Sequence, residues 1–201
     1  MSRWRALARG WVAGLVLAAG AAAAAPPEGV PVAVRRGLFA QTDLGAFLTL
    51  GGDNGYSNLQ AYLQLGVGYE LALADGALLL PLSLQVGVGA NAQSCWAGRT
   101  AAGACAASAS FTLAFFDLAA GVLFRVADRL ALGPKLLVGG TLLDPEPRPG
   151  VRFQLDLGVA ASLEYATALD HFAVGVDVTY RLVLGPNISA IAIHPRVQYT
   201  F

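Results

Sequence analysis

The sequence predicts an all-β protein, an eight-stranded antiparallel up-and-down transmembrane β-barrel, and three observations carry that prediction. Apolar residues recur at every second position through eight segments, and the connections between the segments alternate between short and long. Charge is scarce: 13 Lys plus Arg and 13 Asp plus Glu supply only 13% of 201 residues, whereas 56% are apolar and the mean hydropathy is +0.57. Period-two alternation puts successive side chains on opposite faces of a strand. So much apolar surface has two places to go, an unusually large core or a membrane. The balanced charge excludes a broad nucleic-acid-binding face, and the apolar content excludes disorder.

The chain opens with Arg3, Arg5 and Arg9 ahead of the apolar stretch from Trp11 to Ala25, which ends in five alanines. A basic region, an apolar region and a small-residue zone in that order read as a secretory signal peptide over residues 1–25, cleaved between Ala21 and Ala25. An uncleaved anchor is the alternative, but the alanines and the following Pro26-Pro27 favour processing. The first cysteine is Cys95, so none lies near this junction to carry a lipid anchor. Residues 26–37, with Arg35-Arg36, form a periplasmic N-terminal lead-in, and residues 38–201 form the barrel domain.

The first barrel segment runs Leu38, Ala40, Thr42, Leu44, Ala46, Leu48, Leu50 on one face against Gln41, Asp43 and Gly45 on the other. The second sets Leu59 to Leu71 against Asn58, Gln60, Tyr62, Gln64, Gly66, Gly68 and Glu70. The third, within the uncharged stretch from Gly76 to Gly98, could be mistaken for a transmembrane helix. Its alternation and its Gly87/Gly89 pair favour a strand, while Pro81, which lacks a ladder donor, predicts a bulge and a broken register nearby. Segments four to eight carry Asp117 and Arg125; Lys135; Arg152, Asp156, Ser162 and Glu164; Asp177 and Arg181; and His194 and Arg196 on their polar faces. Short joins fall near Asp75-Gly76, Ala127 to Arg129 and Thr167 to Asp170. Longer ones fall at Gly51 to Ser57, Asn91 to Ser108, Asp144 to Gly150 and Leu184 to Ser189. Short turns on one side and longer loops on the other are the transmembrane-barrel arrangement, with both chain ends in the periplasm.

A soluble eight-stranded barrel of the lipocalin type alternates too, with an apolar lumen and a polar exterior. The apolar face here is nearly charge-free and continuous for about nine to eleven residues per strand, the length that crosses a membrane. Aromatics gather at its ends: Tyr69, Phe124, Tyr165, Phe172, Tyr199 and Phe201 towards the periplasm, and Phe153 and Tyr180 towards the other rim. They form the expected membrane girdles. The polar face is the expected interior charge network of Asp43, Glu70, Asp117, Arg125, Lys135, Arg152, Asp156, Glu164, Asp177, Arg181, His194 and Arg196. Near balance suits a narrow interior, where an unpaired charge is costly. Eight strands enclose a space that side chains can fill, so a plugged lumen is expected, with a small gated conductance as the alternative.

Cys95 and Cys105 stand in the longest loop of an exported chain and predict a disulfide. Trp96 reads as loop packing, with contact to a partner as the alternative. His194, Ser162 and Asp177 or Asp156 supply the residue types of a hydrolytic triad. No nucleophile elbow accompanies them, however, and Ser162 is expected near the periplasmic end of its strand with His194 near the middle of its own. His194 is therefore read as a hydrogen-bonded member of the interior network and His171 as interfacial. Asp53-Asn54-Gly55 is too short for a calcium or nucleotide motif, and neither a cofactor nor a metal is implied.

The region Leu38 to Phe201 resembles the small eight-stranded, OmpA-like outer-membrane barrels of Gram-negative bacteria. The closing VQYTF, with Tyr199 and terminal Phe201 on the lipid face, looks like the C-terminal signal recognised by the barrel assembly machinery. The segments RRGLFAQTDLGAFLTLGG and LQLGVGYEL are similar to barrel proteins of the adventurous gliding motility family of myxobacteria. That resemblance implies a non-enzymatic structural or interaction protein of the cell outer membrane, in contact with lipid and with motility-complex proteins. A narrow porin or small-solute transporter and a lipid-modifying outer-membrane enzyme are the alternatives.

Overall fold

The computed structural model describes residues 36–51, 56–94, 100–104, 109–144, 146, 150, 152–185 and 188–201. The expected signal peptide, most of the lead-in, Asp53-Asn54-Gly55, Trp96 and the expected Cys95–Cys105 disulfide lie outside the described residues.

The alternating segments form β1 (Leu38–Gly51), β2 (Tyr56–Leu73), β3 (Leu78–Ser94), β4 (Ala109–Gly121), β5 (Leu123–Ala127), β6 (Leu130–Asp144), β7 (Phe153–Ala166), β8 (Phe172–Val183) and β9 (Ile188–Thr200). β4 and β5 are two pieces of one wall strand, so the wall has eight strands. Each pairs antiparallel with its neighbours, and β1 pairs with both β2 and β9, closing the sheet on itself. A closed sheet leaves no edge, which satisfies the backbone inside a membrane.

Pro81 does not break the register. The β2–β3 ladder runs without a shift through Glu70↔Pro81, and on its other side Leu82↔Ala120 and Leu79↔Leu123 belong to one unshifted alignment. The ladder nevertheless lapses beside it: between Leu82↔Ala120 and Leu79↔Leu123 neither Leu80 nor Pro81 is paired on that side, opposite Gly121 and Val122, where the wall strand divides into β4 and β5. Val122 N–H donates to Pro134 O at 3.0 Å, but Pro134 has no N–H to return the bond. Register shifts occur elsewhere, between Asn91 and Ser94 and between Arg125 and Ala127.

Two connections expected to be long are short. Pairing of β1 with β2 continues to Gly51↔Tyr56 and that of β8 with β9 to Val183↔Ile188, which leaves the longest connection between β3 and β4. Within that connection Thr100–Ala104 forms an exposed turn, with Thr100 N–H donating to Ala104 O at 2.7 Å.

The burial pattern inverts that of a soluble barrel. Leu65, Leu84, Leu136, Leu155 and Ile193 are each more than half exposed, whereas Asp43, Asp156, Glu164 and Arg181 are almost wholly buried. The lumen holds the polar residues and the outer wall holds the leucines. Tyr69, Phe124, Tyr165, Phe172, Tyr199 and Phe201 are exposed at the turn end, and His171, Phe172, Tyr199 and Phe201 stack or meet edge to face at centroid distances of 5.0–5.3 Å. Phe153 and Tyr180 lie exposed towards the loop end. On the outer wall the Phe153 ring covers Gly140, whose missing side chain leaves it room.

Candidate functional site: the filled lumen

Alternation alone delivers the site: every inward position of eight strands projects into one narrow space. Near the turns an ionic chain crosses it. Arg36 Nη1 donates to Glu70 and, at 2.7 Å, to Glu164 Oε1. Arg196 Nη2 donates to the other Glu164 oxygen at 3.1 Å and its Nη1 lies 3.5 Å from Asp177. Lys135 Nζ and Ser162 Oγ donate to the two Asp177 oxygens at 2.9 and 2.6 Å. Such a chain lets each buried charge meet an opposite one, the condition under which burial of charge is tolerated.

Arg36 belongs to the lead-in that the sequence predicts over residues 26–37. It enters the lumen because Gly37, at φ 138, turns the chain inward and its carbonyl accepts from Glu70 N–H at 2.8 Å. Burial works against the Arg36 charge, but Glu70 and Glu164 outweigh it and hold its pKa above the ordinary arginine value. The signal was a basic residue two positions before the first strand, in phase with its apolar face yet beside a glycine.

Further towards the loops, Arg181 holds Asp117 through two hydrogen bonds of 2.8 and 2.7 Å and Asp156 through one of 2.6 Å. Thr141 Oγ1 donates to the remaining Asp156 oxygen at 2.6 Å. The paired contact with Asp117 is the bidentate geometry that a guanidinium fits best. The Arg181 guanidinium also lies 4.3 Å from the centre of the Phe115 ring, a cation–π contact. Polar side chains continue across β2 and β3: the Tyr62 hydroxyl donates to Gln64, Gln64 to Gln85, and Gln85 to Ser83 Oγ at 3.0 Å.

Beyond Arg181 the lumen becomes mainly apolar, with one buried polar pair in which Gln60 Nε2 donates to Thr49 Oγ1 at 3.3 Å. Phe47, Tyr62, Leu113, Phe115, Leu143, Val183 and Ile188 form one buried cluster, with Phe47 stacked on Tyr62 at 5.7 Å and edge-on to Phe115 at 5.2 Å. This cluster was not anticipated. Phe47 is in phase with Gln41 and Asp43, and Phe115 with Asp117, so their inward position was readable from parity alone.

Two expected network members lie elsewhere. Arg152 is exposed at the loop rim, one residue before β7 begins, so it extends into solvent beyond the wall. Arg125 is half-buried, with its guanidinium beside the Gly76 turn rather than in the central chain. Among the described residues the buried acids are Asp43, Glu70, Asp117, Asp156, Glu164 and Asp177, and the cations within the lumen are Arg36, Lys135, Arg181 and Arg196.

Ser162 lies towards the turn end of β7 and His194 in the middle of β9, as expected, yet the ladders pair Ser162↔Asp177 and Asp177↔His194 and so bring the three together across adjacent strands. The aspartate, however, stands between the serine and the histidine. Ser162 Oγ donates to Asp177, while His194 Nε2 lies 3.1 Å from Thr179 Oγ1 and its Nδ1 3.7 Å from Asp43 Oδ1. A triad needs the histidine on the nucleophile, and here it faces away from it.

A closed eight-stranded antiparallel wall, apolar outside and polar within, defines a barrel of the outer-membrane type. No family model matches the sequence, and no curated relative matches it. Among solved structures the chain is similar to Neisserial surface protein A, with a TM-score of 0.57 and 16% identity, covering 82% of this chain and 97% of that one. It is also similar to Ail, the attachment invasion locus protein of Yersinia pestis, with a TM-score of 0.52 and 12% identity, covering 83% and 100%. A structure of Ail in complex with the heparin analogue sucrose octasulfate gives a TM-score of 0.51 at 14% identity. At these identities the likeness is one of fold.

Proposed function

We propose that the protein is a non-enzymatic structural or interaction protein of the outer membrane, whose wall contacts lipid and holds its connecting loops at the cell surface. The observation that carries this reading is the lumen itself, occupied by the ionic chain, the Arg181 group and the aromatic cluster in succession. A wall braced from inside is a rigid platform, and the β3–β4 connection is the longest segment it presents. Reconstitution into planar bilayers tests it: no steady current is expected, and a reproducible open-channel conductance would favour the narrow porin or transporter. Ser162→Ala and His194→Ala separate the enzyme alternative, since loss of a lipid-modifying activity in both, with the fold kept, would contradict a structural role.

The exposed Tyr199 and Phe201 support recognition by the barrel assembly machinery. Removal of Phe201 is expected to slow insertion in cells. The finer reading, a component of a gliding motility apparatus, rests on the resemblance of the β1 and β2 segments. Deletion of the gene in a gliding host is expected to impair single-cell gliding, and unchanged motility would overturn that assignment.

A further inference from the structure

We propose that Asp43 and His194, with Asp177 beside them, form a binding site for a divalent transition cation such as zinc, which clamps the β1–β9 seam from inside the lumen. One carboxylate oxygen from each of Asp43 and Asp177 and one ring nitrogen of His194 lie within 4.8 Å of one another. Asp43 Oδ1 and His194 Nδ1 are each buried without a hydrogen-bond partner, in side chains that are 0% and 5% exposed. Buried polar atoms are nearly always satisfied, so two orphans aimed at each other call for something between them.

The distance indicates what. At 3.7 Å the pair is too far apart for a hydrogen bond. Two metal–ligand bonds of about 2.1 Å meeting at roughly 120° span that gap. The far side of each ligand is already anchored. Gln41 Nε2 donates to Asp43 Oδ2 at 2.9 Å, and His194 Nε2 lies 3.1 Å from Thr179 Oγ1. The tautomer that donates Nε2–H to Thr179 leaves the Nδ1 lone pair facing a carboxylate oxygen, an arrangement that a cation resolves and that outer hydrogen bonds enforce in metal sites.

The charge balance points the same way. Among the described residues the lumen buries the carboxylates of Asp43, Glu70, Asp117, Asp156, Glu164 and Asp177 against buried Lys135, Arg181 and Arg196 and half-buried Arg36 and Arg125, so negative charge is in excess. Asp177 is the weakest member, because it also accepts from Ser162 and Lys135 and lies near Arg196. A carboxylate has lone pairs for a further partner, so Asp43 and His194 are the principal ligands.

The position gives the site a purpose. The β1–β9 ladder runs to Asp43↔Arg196 and resumes only at Ala46↔Ile193. Pro195 falls in the gap and cannot donate. Gly45 has no space for a side chain there, since a Cβ would lie 2.3 Å from Ile193 O and 2.7 Å from His194 Cα. A cation joining Asp43 on β1 to His194 on β9 would bridge the closing seam where its backbone bonding lapses.

The test uses the full-length folded protein in detergent, stripped with EDTA, incubated with zinc chloride, desalted and assayed for retained metal. About one zinc per barrel is expected, falling at least tenfold in His194→Ala and in Asp43→Asn, with electrophoretic mobility of the unheated samples confirming that both fold. X-ray absorption at the zinc edge of the unmodified protein covers the case in which they do not, and should show an imidazole nitrogen together with carboxylate oxygen. No retained zinc, which would leave a proton as the occupant, would overturn the site. So would zinc retained equally by both folded variants, or a metal shell with sulfur or without imidazole.

Discussion

The two halves of the lumen solve the same problem by opposite means. Towards the turns the space is crossed by charges that answer one another, from Arg36 through Glu164 and Arg196 to Asp177 and Lys135, with Phe39 and the small cluster of Leu79, Leu123 and Ala131 beside them. Towards the loops it is filled by rings and branched chains, with Phe47, Tyr62 and Phe115 at the centre. Arg181 joins the halves, with carboxylates around its guanidinium and the Phe115 ring over it. The ionic half depends on every partner being present, because a charge left alone in a low-dielectric interior is expensive. The aromatic half depends on volume, because a lost ring leaves a cavity. The two halves should therefore fail differently.

The largest effect is expected at the junction. Arg181→Met leaves Asp117 and Asp156 without their counter-ion and should lower unfolding stability in urea by about 5 kcal/mol, near the top of the range for breaking a buried pair. Adding Asp117→Asn and Asp156→Asn should recover most of that loss, since replacing a whole buried group is close to neutral. If the triple variant is no more stable than the single one, packing and not charge explains the defect.

Phe115→Ala comes next, at about 3 kcal/mol for a large-to-small change in a packed cluster. Unlike the arginine change, it should not be rescued by neutralising any carboxylate. Combined with Phe47→Ala, it should also admit a small ionic current in planar bilayers. A current appearing after loss of the ionic half alone would reverse the assignment of the seal.

On the outer wall Leu65, 58% exposed near the middle of β2, reports on lipid and not on the lumen. Leu65→Lys is expected to cost about 2–3 kcal/mol in a bilayer and far less in a loose detergent micelle. The smallest effect is expected for Arg36→Gln, about 1.5 kcal/mol, the low end for hydrogen bonds to charged groups, because Arg36 is the least buried cation of the ionic chain. Being nearest to solvent, it should also shrink with added salt.

The halves differ in legibility too. Parity made the polar face readable, so Asp43, Glu70, Asp117, Asp156, Glu164, Asp177, Lys135, Arg181, His194 and Arg196 were assigned inward from alternation, and the structure buries them. Parity also contained the aromatic half, but an apolar ring on an inward position looks like noise when the rule being sought is polarity. Arg152 was misplaced because alternation does not say where a strand ends. The adjacency of Ser162, Asp177 and His194 could not be read from their places along their own strands, since register belongs to the pairing of strands and has no counterpart in a single segment. Pro81 marks a real lapse without the register shift expected of it: its ladder to the next strand is unpaired opposite Gly121 and Val122, where Pro134 on the other side also lacks a donor.

The orientation of the faces underlies both halves, and lipid-borne carbene labelling of the folded protein in bilayers, read residue by residue along β7, tests it most directly. Leu155, Leu157 and Val159 should carry the label while Asp156, Gly158 and Ala160 remain unmodified. Label on Asp156 and Ala160 with Leu157 spared would mean that the charged face meets lipid, and the filled lumen would not exist.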